Sequence, residues 1–164
     1  MPSDEARRLS DLEEVRQRKA ERYRRLAELA RTGTTFPSEP VAATADTAED
    51  LVRQFPVACL EFWARWCAPC LKMQPVVDEV ATQFWGDIAF VRVSLDESPE
   101  ARDRWNVTVL PTMIITKRGL EAARRQGALT RRRLEDFLAP YAAPQAATPR
   151  GADRDGGPGR RGDD

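Results

Sequence analysis

The sequence predicts an α/β domain preceded by one long helix. Three observations support this: charges of alternating sign fill residues 4–31 without glycine or proline, almost all large apolar side chains fall between residues 35 and 141, and strand and helix periodicities alternate there. We therefore predict a charged helix and linker at 1–34, a globular domain at 35–141 and a tail at 142–164.

The N-terminal helix carries pairs of opposite charge four residues apart, such as Glu14 with Arg18 and Glu21 with Arg25. Its apolar face is narrow and is interrupted by Arg16 and Lys19. Two interpretations stay open: a solvated helix lying partly against the domain, or a docking or dimerising helix. The apolar side of the helical wheel consists of Leu9, Leu12, Val15, Tyr23, Leu26 and Ala30.

Inside the domain, the periodicity assigns each element in order. A short helix at 46–54 begins at Asp46, with Glu49 completing a capping box. A nearly continuous apolar run at 57–63 predicts a central strand buried on both faces. The remaining elements are a helix at 67–84 kinked at Pro75, a strand at 88–95, a short helix opened at 98–100, a strand at 112–117, a turn at 118–119, a strand ending at 127 and a helix at 130–139. From residue 57 the order is βαβαββα.

The tail contains eight Gly or Pro residues among 23 and no apolar side chain larger than alanine. Because nothing there offsets the entropy lost on ordering, we expect disorder. The Arg161-Gly162-Asp163 tripeptide within it is attributed to chance.

Composition excludes several classes of function. The 26 basic residues cancel the 26 acidic ones, so no net field recruits nucleic acid. No apolar run approaches the roughly 20 residues of a membrane-spanning helix. Histidine is absent, so the chemistry must use thiols, carboxylates or hydroxyls. Three cysteines do not form a disulfide scaffold, and the charged N-terminus has no apolar signal region, so a cytoplasmic protein is expected.

The chemistry centres on the motif Trp66-Cys67-Ala68-Pro69-Cys70, between a buried strand and the first turn of a helix. Free N–H groups and the helix dipole favour thiolate at Cys67, which we expect to be exposed and nucleophilic. One turn later, Cys70 can attack a mixed disulfide held on Cys67. Pro69 costs nothing in a first turn, where its missing N–H has no intrahelical partner.

Other interpretations of the cysteines fit less well. Zinc normally takes four Cys or His ligands, and this chain has three cysteines and no histidine, so no metal is expected. Inert core thiols at Cys67 and Cys70 conflict with the flanking Trp66 and the loop-to-helix junction. Cys59 lies in the middle of an apolar strand and is interpreted as a small buried hydrophobe.

These residues together resemble the thioredoxin family. The resemblance rests on residues 60–70, which include the motif, and on Pro75 at the expected distance. It continues through Val109-Leu110-Pro111-Thr112, Lys117-Arg118-Gly119 and Gly127-Ala128-Leu129, and it covers residues 44–141.

The resemblance implies a central mixed sheet flanked by helices and a dithiol that reduces disulfides in other proteins. It makes Cys67 the attacking thiol and Cys70 the resolving thiol, with Pro111 after a cis peptide bond against the sulfurs, leaving the Leu110 backbone free to pair with substrate. A partner reductase of the thioredoxin-reductase type would supply electrons, so no cofactor is expected on this chain. The implied docking surface consists of Trp66, Ala68, Pro69, Val109, Leu110, Gly127 and Ala128.

Some positions depart from the family's commonest pattern. Glu61 replaces a buried aspartate and would accept the Cys70 proton, directly or through water. Arg92 replaces a lysine and would tend to hold Glu61 ionised. The alternative is that the two residues form a structural buried ion pair. Ala68 replaces glycine, with an expected adjustment of redox poise. Val109 also replaces a glycine and makes the docking surface bulkier.

A second function class stays open: a thioredoxin-fold binding module or co-chaperone that docks a partner through the N-terminal helix. An oxidase-like role is weaker because no export signal and no histidine between the cysteines are present. The sequence leaves the oligomeric state undetermined.

Overall fold

The computed structural model describes residues 3–142, so the predicted disordered tail, with its Arg161-Gly162-Asp163 tripeptide, lies outside the described residues from residue 143 onward. The helices are α1 (Asp4–Arg31), α2 (Ala45–Gln54), α3 (Ala68–Gln83), α4 (Ala101–Arg104) and α5 (Arg131–Leu138), with a 3-10 turn at Ala139–Tyr141. The strands are β1 (Val41–Ala43), β2 (Val57–Trp63), β3 (Ala89–Ser94), β4 (Thr112–Lys117) and β5 (Leu120–Gln126).

The strands form one mixed sheet in the order β1-β3-β2-β4-β5. The β1-β3 and β3-β2 pairs are parallel, and the β2-β4 and β4-β5 pairs are antiparallel. The predicted central mixed sheet is confirmed, and the order βαβαββα from β2 onward is observed.

Strand β2 lies at the centre of the sheet because both of its faces are apolar and covered. Leu60 and Phe62 pack into a cluster with residues of α2 and the end of α1. Cys59 points to the opposite face and packs with Met73 and Val77 of α3. Successive residues alternate between the faces, so Glu61 lies on the same side as Cys59.

Two predictions near the start of the domain are wrong. The three-residue strand β1 lies just after Pro40, where no strand was expected, and pairs with β3. Helix α2 is capped by Thr44, not Asp46: the Thr44 hydroxyl accepts from the Thr47 N–H at 3.3 Å. The Thr47 hydroxyl accepts from the Thr44 N–H at 2.8 Å, so these two threonines form the capping box and Glu49 takes no part in it.

Helix α1 rests on the domain through its C-terminal half only. Leu29 is buried in the core, and Leu26 packs partly against it. Arg22 and Arg25 reach the buried carboxylate of Asp87 at 3.4 and 3.3 Å. The contacts recur every three or four residues and define one docked helix face.

The predicted apolar side of α1 shares only Leu26 with this docked face. Tyr23 is exposed although it was assigned to the same side as Leu26. The two leucines and one valine of that side in the N-terminal half also project into solvent. The exposed fractions are 60% for Leu9, 55% for Leu12 and 46% for Val15.

None of the helices within residues 3–142 has the length and apolar content needed to cross a membrane.

We expect the two leucines at opposite ends of α1 to differ in their contribution to stability. Leu29→Ala should lower the free energy of unfolding by about 2–4 kcal/mol, because it leaves a cavity beneath the helix. Leu9→Ala, the matched control, should change it by less than about 0.5 kcal/mol because Leu9 contacts mainly water. Urea unfolding followed by circular dichroism measures both; equal effects would contradict the docked and projecting halves.

Candidate active site

The two cysteines of the motif meet at the N-terminus of α3. Cys67 is the N-cap residue and Cys70 lies in the first turn, with 5.3 Å between their Cα atoms and a disulfide between their sulfurs. The helix therefore begins one residue later than predicted. Pro75 lies inside α3 and removes the hydrogen bond that its N–H would have donated to the Leu71 carbonyl.

The backbone around Cys67 favours negative charge on its sulfur. The Cys67 Sγ accepts from the Cys70 N–H at 3.3 Å. As the N-cap of a 16-residue helix, this sulfur also lies at the positive end of the helix dipole. Both effects stabilise a thiolate over a thiol when the disulfide is reduced.

The sulfurs are more enclosed than the predicted exposed junction. Cys67 retains 5% of its surface and Cys70 none. Together with Ala64 they form a small buried cluster against which Trp63 and Leu110 pack. Approach to the disulfide is therefore limited to the narrow exposed part of Cys67.

A second loop lies against this cluster. The Leu110-Pro111 peptide bond is cis, and the buried Pro111 accepts a hydrogen bond from the Gly127 N–H at 2.8 Å. Gly127 has a φ of 86°, a left-handed conformation that glycine adopts without strain. The loops after α4 and β5 are thereby joined beside the cysteines.

An exposed and mostly apolar rim surrounds the sulfurs. Trp66 is 70% exposed and Val109 is 44% exposed. Ala68, Pro69 and Ala128 are also exposed, while Leu110 and Gly127 are partly buried. All seven residues of the implied docking surface thus have some accessible surface.

Three of these residues line a cleft of about 330 Å³ between α3 and the loop after β5: Ala68, Pro69 and Ala128. The cleft adds residues that the sequence reasoning missed. For Lys72 and Val76 the signal was their spacing of four and eight residues from Ala68 on one face of α3. The added lining residues are Lys72, Met73, Val76 and Leu129.

Glu61 lies in the interior opposite Arg92, its register partner on the parallel strand β3. The Arg92 Nε donates to Glu61 Oε2 at 2.7 Å, and the Arg92 Nη2 donates to Asp78 Oδ1 at 3.0 Å. The other carboxylate oxygen, Glu61 Oε1, is buried without a hydrogen-bond partner among the described residues. The predicted pair is therefore real, and Asp78 is a member that the sequence reasoning missed.

Burial raises the pKa of the Glu61 carboxyl, and the charge and hydrogen bond of Arg92 oppose this shift without cancelling it. Burial alone would lower the pKa of the Arg92 guanidinium, but Glu61 and then Asp78 raise it. Arg92 consequently stays charged, while Glu61 is an interior carboxyl able to take up a proton closer to neutral pH than an exposed one.

Cys59 is the free cysteine of the described residues and is fully buried. Burial raises the pKa of its thiol, and the nearby charge of Glu61 raises it further. This agrees with the predicted buried hydrophobe. Within residues 3–142, no three cysteine, aspartate, glutamate or histidine side chains converge as metal ligands.

The geometry matches a known family. The family model described as Thioredoxin matches residues 40–140. The chain belongs to the thioredoxin family. It is 41% identical over 79 residues to Thioredoxin M4, chloroplastic, of Arabidopsis thaliana, covering 48% of this chain and 41% of that protein. It is 38% identical over 79 residues to Thioredoxin 1 of Nostoc sp., covering 48% of this chain and 74% of that protein.

Solved structures agree. A mutant thioredoxin from Halobacterium salinarum superposes with a TM-score of 0.62 at 27% identity, covering 67% of this chain and 96% of that one. The thioredoxin relatives and the Cys67-Cys70 disulfide identify a thiol-disulfide oxidoreductase of the protein-disulfide reductase type.

We expect alkylation to separate the cysteines of this thioredoxin. In the reduced native chain, iodoacetamide should modify Cys59 at least about 100-fold more slowly than Cys67. The reasons are that Cys59 is inaccessible and that the raised pKa of its thiol disfavours the reactive thiolate. Mass spectrometry of timed digests measures this, and the chain in guanidinium, where all three thiols react, is the control. Native Cys59 labelling at the Cys67 rate would contradict its burial.

Proposed function

We propose a division of roles within the dithiol for the reduction of disulfides in other proteins. Cys67 is the attacking thiol and Cys70 the resolving thiol. The observation that carries this assignment is the asymmetry at the start of α3: Cys67 keeps the exposed surface and receives a backbone N–H, whereas Cys70 is fully buried.

The reaction transfers two electrons in two exchanges. The Cys67 thiolate attacks one sulfur of the target disulfide, forms a mixed disulfide and releases the other target sulfur, which takes up a proton. Cys70 then loses its proton and attacks the Cys67 sulfur. This forms the Cys67-Cys70 disulfide and releases the second target thiol.

Glu61 is the proposed acceptor of the Cys70 proton, directly or through water. It is the buried carboxyl on the α3 side of β2, its pKa is raised by burial, and its Oε1 has no partner among the described residues. Such a group can accept a proton near neutral pH and give it up again. Arg92 supports this transfer by binding the other oxygen.

The rim and cleft are the proposed docking surface for an extended target segment. Neither the N–H nor the carbonyl of Leu110 takes part in a backbone hydrogen bond with the described residues, so both are free to pair with a substrate backbone. The apolar lining of the cleft would receive a side chain beside the target cysteine.

The electron donor is proposed to be a reductase of the thioredoxin-reductase type, which would carry its own cofactor. Residues 35–141 are the proposed catalytic unit, in line with the family match over 40–140. We also propose a cytoplasmic location on the cysteine usage, although two relatives are named chloroplastic.

We expect cysteine variants to separate the two thiols in a turbidity assay of insulin reduction by dithiothreitol. Cys67→Ser should return the rate to that of dithiothreitol alone, because no nucleophile reaches the target. Cys70→Ser should also lose turnover, and the reduced variant, freed of dithiothreitol before it is mixed with insulin, should accumulate a covalent insulin adduct visible by mass spectrometry. Cys59→Ala is the matched control and should keep most of the native rate; native turnover by Cys67→Ser would refute the assignment.

A second candidate function, a docking module, is favoured by the exposed leucines in the projecting half of α1. In this function the helix holds a partner protein while the dithiol is secondary. Removal of residues 1–32 is a poor test because it also deletes Leu29 from the core. Surface changes on the projecting half avoid that problem.

The double variant Leu9→Glu/Leu12→Glu should keep native insulin reduction while losing the main protein captured from an extract by the native chain. The reason is that two charges replace the apolar contact area without touching the core. Gln17→Glu, another exposed change on α1, is the control. Unchanged capture by the double variant would remove the docking function.

A further inference from the structure

The guanidinium of Arg92 binds two carboxylates, one buried and one exposed. Its Nε binds Glu61, whose side chain is 2% exposed, and its Nη2 binds Asp78, whose side chain is 54% exposed. Arg92 itself is 18% exposed. The side chain therefore spans from the interior to the protein surface.

Asp78 lies on the same helix as the reactive cysteines. It follows Cys70 by eight residues of α3, roughly two helical turns. Arg92 comes from β3 and Glu61 from β2, so the network joins both central strands to the helix that carries the dithiol.

Two hydrogen bonds hold the guanidinium group in one orientation, whereas a single hydrogen bond lets it rotate. The long arginine stem loses substantial rotamer entropy on ordering, and its planar fork is preorganised for two directed bonds. Because Nη2 donates to Asp78, the hydrogen bond from Arg92 to Glu61 comes from Nε, which donates to Oε2. Without Asp78, the fork is free to rotate and present a second N–H to Oε1, the oxygen that is now unpartnered.

We propose that Asp78 is a positioning residue for the dithiol: it holds the Arg92 fork so that Arg92 binds one oxygen of Glu61 and leaves the other open to the proton of Cys70. This rests on the proposed role of Glu61. Asp78 touches neither thiol and acts through Arg92.

The charged and titratable groups around Glu61 allow this role to be separated from simple electrostatics. Arg92 faces it from β3, Asp78 from α3, and Cys59 adjoins it on β2; its register partner on β4 is the uncharged Met113. The negative charge of Asp78 raises the pKa of Glu61. Its hold on the Arg92 fork acts in the same direction, because a second N–H donated to Oε1 would favour the ionised carboxylate and lower that pKa.

Two substitutions divide these contributions. Asp78→Asn removes the charge but keeps an oxygen that accepts from Arg92 Nη2. Asp78→Ala removes both the charge and the hold. The difference between the two variants is the effect of positioning, and Glu79→Ala is the control because Glu79 lies next to Asp78 and has its own arginine partner, Arg131.

The full-length reduced chain is mixed with an excess of an aromatic disulfide whose thiolate product is coloured. Attack by Cys67 releases one coloured thiolate at a rate that scales with reagent concentration, and attack by Cys70 releases a second at a rate that does not. Stopped-flow absorbance across a pH series gives the apparent midpoint of the second phase, which belongs to the coupled Glu61 and Cys70 titration.

We expect the second-phase midpoint of Asp78→Ala to lie at least about 0.5 pH unit below that of Asp78→Asn, because the released fork donates a second hydrogen bond to Oε1 and favours the ionised Glu61 carboxylate. The first phase should be unchanged in both, and Glu79→Ala should match the native chain in both phases. A role of Asp78 in stability alone would shift the unfolding temperature and leave the midpoints equal.

Coincident midpoints for Asp78→Ala and Asp78→Asn, or the reverse order, overturn the proposal. Glu61→Gln separates this failure from failure of the proposed function. If Glu61→Gln alters the second phase while the two Asp78 variants coincide, only the positioning role is refuted. If Glu61→Gln leaves the second phase unchanged, the proton-acceptor role of Glu61 is refuted, and the positioning role with it.

Discussion

The structure depends above all on the pairing of β2 between a parallel and an antiparallel neighbour. Phe62 lies opposite Thr112 of β4, and Thr112 lies opposite Gln126 of β5. This register brings three chain segments to one edge of the sheet: the loop after Trp63 that leads to the cysteines, the loop that ends at Pro111, and the turn at Gly127. A slip of one residue would move each side chain to the opposite face and dismantle the site.

The same register explains why a charged residue is tolerated in a buried strand. Parallel pairing aligns Glu61 with Arg92, so the carboxylate meets a guanidinium as soon as the sheet forms. A buried charge without a partner would be strongly destabilising. Glu61 Oε1 stays buried without a hydrogen-bond partner among the described residues. The Glu61 side chain lies on the side of β2 that faces α3. An oxygen left unsatisfied in this way is suited to take up a proton.

The sequence predicted what local patterns encode. The dithiol, β2 and the closing helix were recognisable because a motif, an apolar run and a cap lie in consecutive residues. Strand β1 was missed because three residues beside Pro40 carry no periodicity. The cap of α2 was misassigned because Thr44 and Asp46 are both good caps, and only the backbone decides between them.

The interactions that the sequence could not reveal are those between distant elements. The docked face of α1 combines Leu26 and Leu29 with two arginines that meet Asp87, so a search for a continuous apolar stripe selected the neighbouring side of the helix. Asp78 escaped notice for the same reason: its partner Arg92 lies 14 residues away on another element. Asp78 connects the two departures from the family's commonest pattern, Glu61 and Arg92. A lysine offers a single point charge, whereas the fork of an arginine binds Glu61 and Asp78 with separate nitrogens. An arginine at this position therefore joins α3 to the buried network.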